Sequence, residues 1–268
     1  MSRRLLRSAA VLGVTILFAL PIAFMILGAL RQPGLPPPDG FDWIPDQLRW
    51  SNFQTVFDLV SLWPYIGNSL VVALVAVPVT VLVASLAGFA VATADHRSRR
   101  WIVIVSLVAL MTPTTALWIP RFVMFRWSGL IDTPFVLMVP ALMATTPFFV
   151  LIFAVVYSRI PKQLFEAAAL EGSSPLATWR RVALPLGRPA TFAVAVLALV
   201  WHWANFIDPL LYLTREERFT LPLALRTLQT LEPTMHPLML AAAVIATAIP
   251  LLLFFVAQRA FFVKTLDV

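Results

Sequence analysis

"EAAALEGSSPLATWRRVALPLG", residues 166–187, sits between two long apolar runs. It carries Glu166, Glu171, Arg180 and Arg181, with Arg188 immediately after it. Pro161 suits the first turn of a helix, and Lys162 to Glu171 is rich in good helix formers. Gly172 stands where a left-handed residue would end that helix. Ser174 can cap a second helix with Pro175 at its first position, running to Pro185. The stretch therefore reads as two short helices joined by a tight turn. Leu164 and Ala168 share a face of the first, and Leu176, Trp179 and Ala183 share a face of the second. Lipid cannot be the partner of such a stretch. A small-residue face with one carboxylate, Glu166, suits docking into a groove on another protein.

Working outward, the flanking runs set the fold class. The 268 residues are 60% hydrophobic and only 12% charged, against about 25% charged in a soluble domain. That makes one polytopic membrane domain, 1–268, the expectation. A spanning helix needs roughly 20 mostly apolar residues, and six runs meet that length: 8–30, 66–94, 102–124, 135–157, 190–212 and 237–258. Backbone groups in lipid must be satisfied within the segment, and no strand-like alternation recurs, so helices are expected rather than a barrel. The first run follows Arg3, Arg4 and Arg7 and is longer than the apolar core of a secretory signal, so it reads as a retained span. With the N-terminus inside, 13 of the 20 Lys and Arg residues fall on the cytoplasmic side and 7 outside, the direction of the positive-inside rule. Both termini and residues 158–189 are then cytoplasmic. The net charge of +7 is explained by these short loops, and nucleic acid is not an expected partner. With no cysteine, disulfides, thiolate metal sites and cysteine nucleophiles are excluded.

The spacing in the opening stretch resembles a known pattern: Glu-Ala-Ala, three residues, Gly, nine residues, an aliphatic residue, one residue, Leu-Pro. Glu166-Ala167-Ala168, Gly172, Val182 and Leu184-Pro185 meet it. It looks like the coupling motif in the permease subunits of binding-protein-dependent ABC importers. "RIPKQLFEAA", "ALPLGRPA", "GLIDTPFVLMVP", "NSLVVAL" and "WHWANFIDPL" are similar to segments of the shorter, six-helix subunit of the maltose-type carbohydrate importers. Glu171 stands where an Asp is common in that group, and the chain ends at "FVKTLDV" without the relatives' Gly-rich tail. The resemblance implies an all-α membrane protein of the ABC type I importer permease fold, with six transmembrane helices and a cytoplasmic two-helix coupling loop, 158–189. It implies that Glu166, Ala167, Ala168 and Gly172 dock on an ATPase, whose closure rocks the membrane helices between inward- and outward-facing states. It further implies a second homologous permease, two ATPase subunits that bind the ATP and Mg, and an extracytoplasmic substrate-binding protein or lipoprotein. This chain would bind no cofactor and sit in the lipid of a bacterial plasma membrane. The solute implied is a sugar or oligosaccharide. Glycerol phosphate, a polyamine or a peptide are the alternatives within the class, and a membrane-embedded enzyme is the alternative outside it.

Inside the fifth run, "WHWANFID" places His202 and Asn205 three residues apart, on one helical face, with Asp208 three further on. Polar groups in a spanning helix face a bundle interior or an aqueous cavity. Trp201, His202 and Asn205 are thus candidates for a translocation path, since a sugar is held by hydrogen bonds and an aromatic face. Interhelical hydrogen bonding is the plainer alternative. Arg97, Arg99 and Arg100 read as a topology signal or as contacts to anionic lipid. The loops 31–65, dense in Pro and Trp, and 213–236 read as extracytoplasmic, the second as a candidate contact for a binding protein. Enzyme signatures are missing from the letters. No Gly-rich loop precedes a Lys, no His pair shares a helix face at zinc-binding spacing, and no Gly-x-Ser-x-Gly occurs.

Overall fold

In a computed structural model, residues 2–35, 44–230 and 233–262 are described, and among them every regular element is helical. The Pro-rich part of the loop expected outside, 36–43, and the tail after Phe262 lie outside the described residues, as do residues 231–232. The contacts divide the chain into two compact units, one of 1–65 and 221–251, the other of 66–220 and 252–268.

In the first unit, α1 (Ser2–Ala29) is followed by α2 (Ser51–Leu59). The buried Asn52 holds the turn between them: its side-chain amide donates to the carbonyls of Ala29 and Arg31, both at 2.7 Å. Those carbonyls lie beyond the last helical bonds of α1, so Asn52 satisfies groups that a helix end otherwise leaves unpaired. α13 (Leu221–Ala224) and most of α14 (His236–Phe262) complete this unit.

The second unit holds most of α3 (Leu62–Thr93), then α4 (His96–Met111), α5 (Trp118–Trp127), α6 (Phe135–Met138) and α7 (Pro147–Tyr157). The two-helix segment follows as α8 (Lys162–Leu170), α9 (Pro175–Thr178) and α10 (Leu184–Leu186), and the chain continues in α11 (Arg188–Trp203) and α12 (Ile207–Tyr212). Asp95 caps α4, its carboxylate accepting from the backbone N–H groups of Arg97 and Ser98 at 3.1 Å. α7 packs against both α4 and α11. One core gathers Ala84 and Phe89 of α3, Phe149, Phe153 and Tyr157 of α7, and Val194 and Ala198 of α11. A second gathers Val72, Phe125, Val136 and Tyr212.

Four helical stretches are long and apolar enough to cross a membrane alone: Arg7–Ala29, Leu62–Thr93, Phe135–Tyr157 and His236–Arg259. They match four of the six expected runs. The other two are broken. The run expected as 102–124 is two segments, His96–Met111 and Thr114–Trp127, meeting at 90°. Pro113 drives Thr112 out of the helical region, to a ψ of 122°, so α4 must stop there. The run expected as 190–212 is also discontinuous. α11 ends at Trp203, and α12 starts again at Ile207. Residues Pro175–Leu186 stand at 84° to Arg188–Trp203. Arg180 and Arg181 are exposed on the former. Each would cost about 2.5–3.5 kcal/mol at the centre of a bilayer, which sets this segment apart from the apolar α11.

Candidate functional site

The turn between α8 and α9 takes the form the letters predict. Gly172 has a φ of +73°. The N–H of Ser173 reaches the carbonyl of Ala168 at 2.9 Å, and that of Gly172 reaches Ala169 at 3.0 Å. These are the paired bonds of a Schellman ending, which needs a left-handed residue at Gly172 and satisfies the last carbonyls of α8. Ser174 then caps the next helix, its hydroxyl accepting from the N–H of Ala177 at 3.3 Å.

The second helix differs from expectation in two ways. It does not end at Pro185. A π-helical turn, Trp179–Ala183, is followed by α10, so the helix runs through the proline to Leu186. Within an α-helix the Pro185 ring would press on the carbonyl four residues back, that of Arg181; the N–H of Leu184 instead reaches back five residues to Trp179, and the wider turn makes room. The face assigned to Leu176, Trp179 and Ala183 is also split. Trp179 and Ala183 are buried in the core, while Leu176 is exposed.

The segment therefore has two sides. Phe165, Trp179, Ala183 and Leu184 pack into the membrane-helix core. Glu166, Ala167, Leu170, Glu171 and Gly172 face outward, Leu170 being 91% exposed, and Ala168 is half-buried. An apolar side chain that exposed, ringed by small residues and two carboxylates, is a surface suited to another protein.

The candidate path residues are separated by the structure. His202, only 8% exposed, lies in a buried cluster with Thr145 at 3.2 Å and Thr80 at 3.5 Å, and the two threonine hydroxyls are 2.6 Å apart. His202 thus links α11 to α3 and to the turn that precedes α7. Thr145 sits in a left-handed turn between Met143 and α7, with Ala144 and Thr145 at φ of 58° and 62°. Asn205 does not share a helix face with His202, because the helix has ended. Its side-chain carbonyl accepts from the N–H of Asp208 at 3.1 Å, and its amide donates to the Asp208 carboxylate at 2.9 Å. A short polar side chain capturing a nearby N–H in this way competes with the helix ladder.

Trp201 and Asn205 do line one cleft, of about 670 Å³, together with Trp118, Thr146, Arg121 and Asp208. Arg121 and Asp208 are the only charged residues of that lining and lie 3.6 Å apart. Arg121 escaped the sequence reading because it was counted among the seven charges outside; its place within the expected run 102–124 was the available signal.

A further node ties residues 128–134 to 213–219. Asp132, at a φ of 58°, accepts from the backbone N–H groups of Thr214 and Arg215 at 3.0 Å and from the Arg215 guanidinium at 2.6 Å. The Arg215 N–H, outweighing some desolvation, and then the Arg215 guanidinium and the Thr214 N–H hold this carboxyl well below the usual carboxylate range. Nearby, the Asn68 amide donates to the carbonyls of Glu217 and Phe219 at 2.8 and 3.0 Å.

The chain thus combines apolar helices long enough to cross a membrane with an exposed helical hairpin. Residues 81–265 match the family described as binding-protein-dependent transport system inner membrane component, and the chain belongs to that family. It is similar, at 30% identity over 92% of this chain and 89% of the relative, to the arabinooligosaccharides transport system permease protein AraQ of Halalkalibacterium halodurans. The diacetylchitobiose uptake system permease protein DasC of Streptomyces coelicolor is 28% identical over 93% of this chain and 89% of its own. In fold, the chain resembles a subunit of a bacterial ABC transporter involved in the import of the acidic polysaccharide alginate. That match has a TM-score of 0.74 at 18% identity, covering 96% of this chain and 95% of the other. The expected fold class, an all-α importer permease, holds.

Proposed function

We propose that the chain is the shorter permease subunit of an ATP-driven importer for a neutral sugar or oligosaccharide, working by alternating access in the bacterial plasma membrane. Both termini and the segment 158–189 face the cytoplasm. There Glu166, Ala167, Ala168 and Gly172 dock on one of two ATPase subunits, which bind the ATP and Mg and carry out the hydrolysis. A second homologous permease completes the pathway, and an extracytoplasmic binding protein delivers the solute. Trp201 and Asn205 belong to the path, and His202 supports it from behind.

The observation that carries this reading is the two-sided build of the segment: one face sunk in the membrane-helix core, the other offering a rigid, capped turn to a soluble partner. The solute class draws support from the relatives whose names specify arabinooligosaccharide and diacetylchitobiose transport. It also draws support from the cleft, where two indole faces and neutral hydroxyl and amide groups surround an ion pair whose charges cancel. Stacking faces and uncharged hydrogen-bonding groups suit a polyol better than a phosphate or an amine.

The test is uptake in proteoliposomes carrying the whole transporter with its ATPase and binding protein. Neutral oligosaccharides should accumulate only with ATP. A system that moves only anionic or polyamine solutes would overturn the substrate class, and uptake indifferent to ATP would overturn the mechanism.

A further inference from the structure

We infer that Ser85, Tyr157 and Trp179 form a joint that makes the two-helix segment and the helices α3 and α7 move as one body. The inference rests on the proposed docking of that segment on an ATPase and adds where its motion enters the membrane.

Three elements far apart in sequence meet at one oxygen. The indole N–H of Trp179 donates to the Ser85 hydroxyl at 2.9 Å, and that hydroxyl shares a second hydrogen bond with the Tyr157 hydroxyl at 2.6 Å. Ser85 lies within α3, Tyr157 is the last residue of α7, and Trp179 opens the π-helical turn of the segment. Ser85 and Tyr157 are fully buried, and Trp179 is 8% exposed. In such a place water does not replace a broken bond, so separating the elements leaves polar groups unpaired at the full desolvation penalty.

Packing supports the same junction from both sides. A Cβ on Gly187, just past the segment, would lie 2.5 Å from Cε1 of Tyr157 and 3.0 Å from the Ala183 carbonyl. The backbone there rests directly on the tyrosine ring, which only glycine permits. On the other side Phe165 of α8 meets Phe89 of α3 edge-on at 5.8 Å, and Phe89 meets Tyr157 edge-on at 6.2 Å. Apolar faces alone can slide, because burial is non-directional. One hydroxyl serving two partners fixes their register. The π-helical turn, a feature that recurs at functional sites, begins at the residue that makes the bond. A push on the exposed turn around Gly172 thus reaches α3 and α7 as displacement, without being absorbed between them.

The test uses the reconstituted transporter and measures, in one preparation, both ATP hydrolysis and uptake of the neutral oligosaccharide that the unsubstituted complex accepts. Trp179→Phe, Tyr157→Phe and Ser85→Ala remove the bonds, while Ser85→Thr keeps the hydroxyl. With the ATPase still copurifying, the solute moved per ATP should fall about fivefold in Trp179→Phe and Tyr157→Phe, the factor expected of one neutral hydrogen bond, fall further in Ser85→Ala, which loses both bonds, and stay near the original in Ser85→Thr. A purely structural role would reduce the amount of folded transporter, scaling uptake and hydrolysis together; an unchanged ratio in Tyr157→Phe, which keeps the ring and its packing, overturns the joint. Failure of the docking reading looks different: the ATPase would then not copurify with the unsubstituted permease.

Discussion

Substituting Gly172 isolates the role of backbone shape in the docking turn. A Cβ there meets nothing within 4 Å, and the φ of +73° is the obstacle. A residue with a Cβ pays about 1–2 kcal/mol in the left-handed region, and a β-branched one falls at the upper end. Spread over the turn's own equilibrium, that is a factor of roughly 5–30 against the native ending. The bonds at stake are Ser173 to Ala168 and Gly172 to Ala169, which set the angle between α8 and α9. Gly172→Val should therefore lower ATP-driven uptake by about five- to thirtyfold, while the permease still inserts at normal levels. Gly172→Asn, the side chain that best tolerates this conformation, should retain most of it. The assay is initial uptake rate in proteoliposomes, normalised to permease content. Full activity in Gly172→Val would refute the reasoning. So would equal damage from Asn and Val, since bulk rather than backbone shape would then be the cause.

Three other positions give distinct outcomes. Asp132→Ala should loosen residues 213–219, read as faster tryptic cleavage at Arg215 and Arg218 at neutral pH, with Asp132→Asn milder because it keeps an acceptor. Because the folded carboxyl titrates below its unfolded value of about 3.9, its contribution is fully present above that pH. It is lost only as the pH falls through the folded value; protection should survive to pH 5 in the unsubstituted protein and weaken in stronger acid. His202→Leu should act mainly on stability, costing about 1 kcal/mol because Thr80 and Thr145 keep each other as partners. Asn205→Leu should lower uptake instead, and a thermal melt beside an uptake assay separates the two; the opposite pattern would return His202 to the path.

The letters revealed most where backbone chemistry is local. Gly172 and Ser174 are punctuation with a physical meaning, and the turn they announce is the one that forms. The four stretches long and apolar enough to cross alone were equally plain, since length and apolarity suffice. What stayed hidden depends on contacts distant in sequence or on side chains competing with the helix. No Pro or Gly marks the end of α11; Asn205 and Asp208 end it by taking hydrogen bonds that the ladder would have used. Pro113 was visible, yet a proline alone does not tell a kink from a right-angled turn. Trp179 was grouped with Leu176 and Ala183 on α-helical spacing, and its partners Ser85 and Tyr157 lie 94 and 22 residues away in the chain. No local pattern could join them.

The chain contains no cysteine, so Ala167→Cys places a single thiol on the exposed face of α8. Treated with a membrane-impermeant maleimide, this variant should be labelled in inside-out vesicles but not in intact cells. It should be protected, and crosslink to a separate ATPase subunit, once that subunit is bound. Labelling from the cell exterior, or a thiol that stays equally reactive with the ATPase present, would contradict the account.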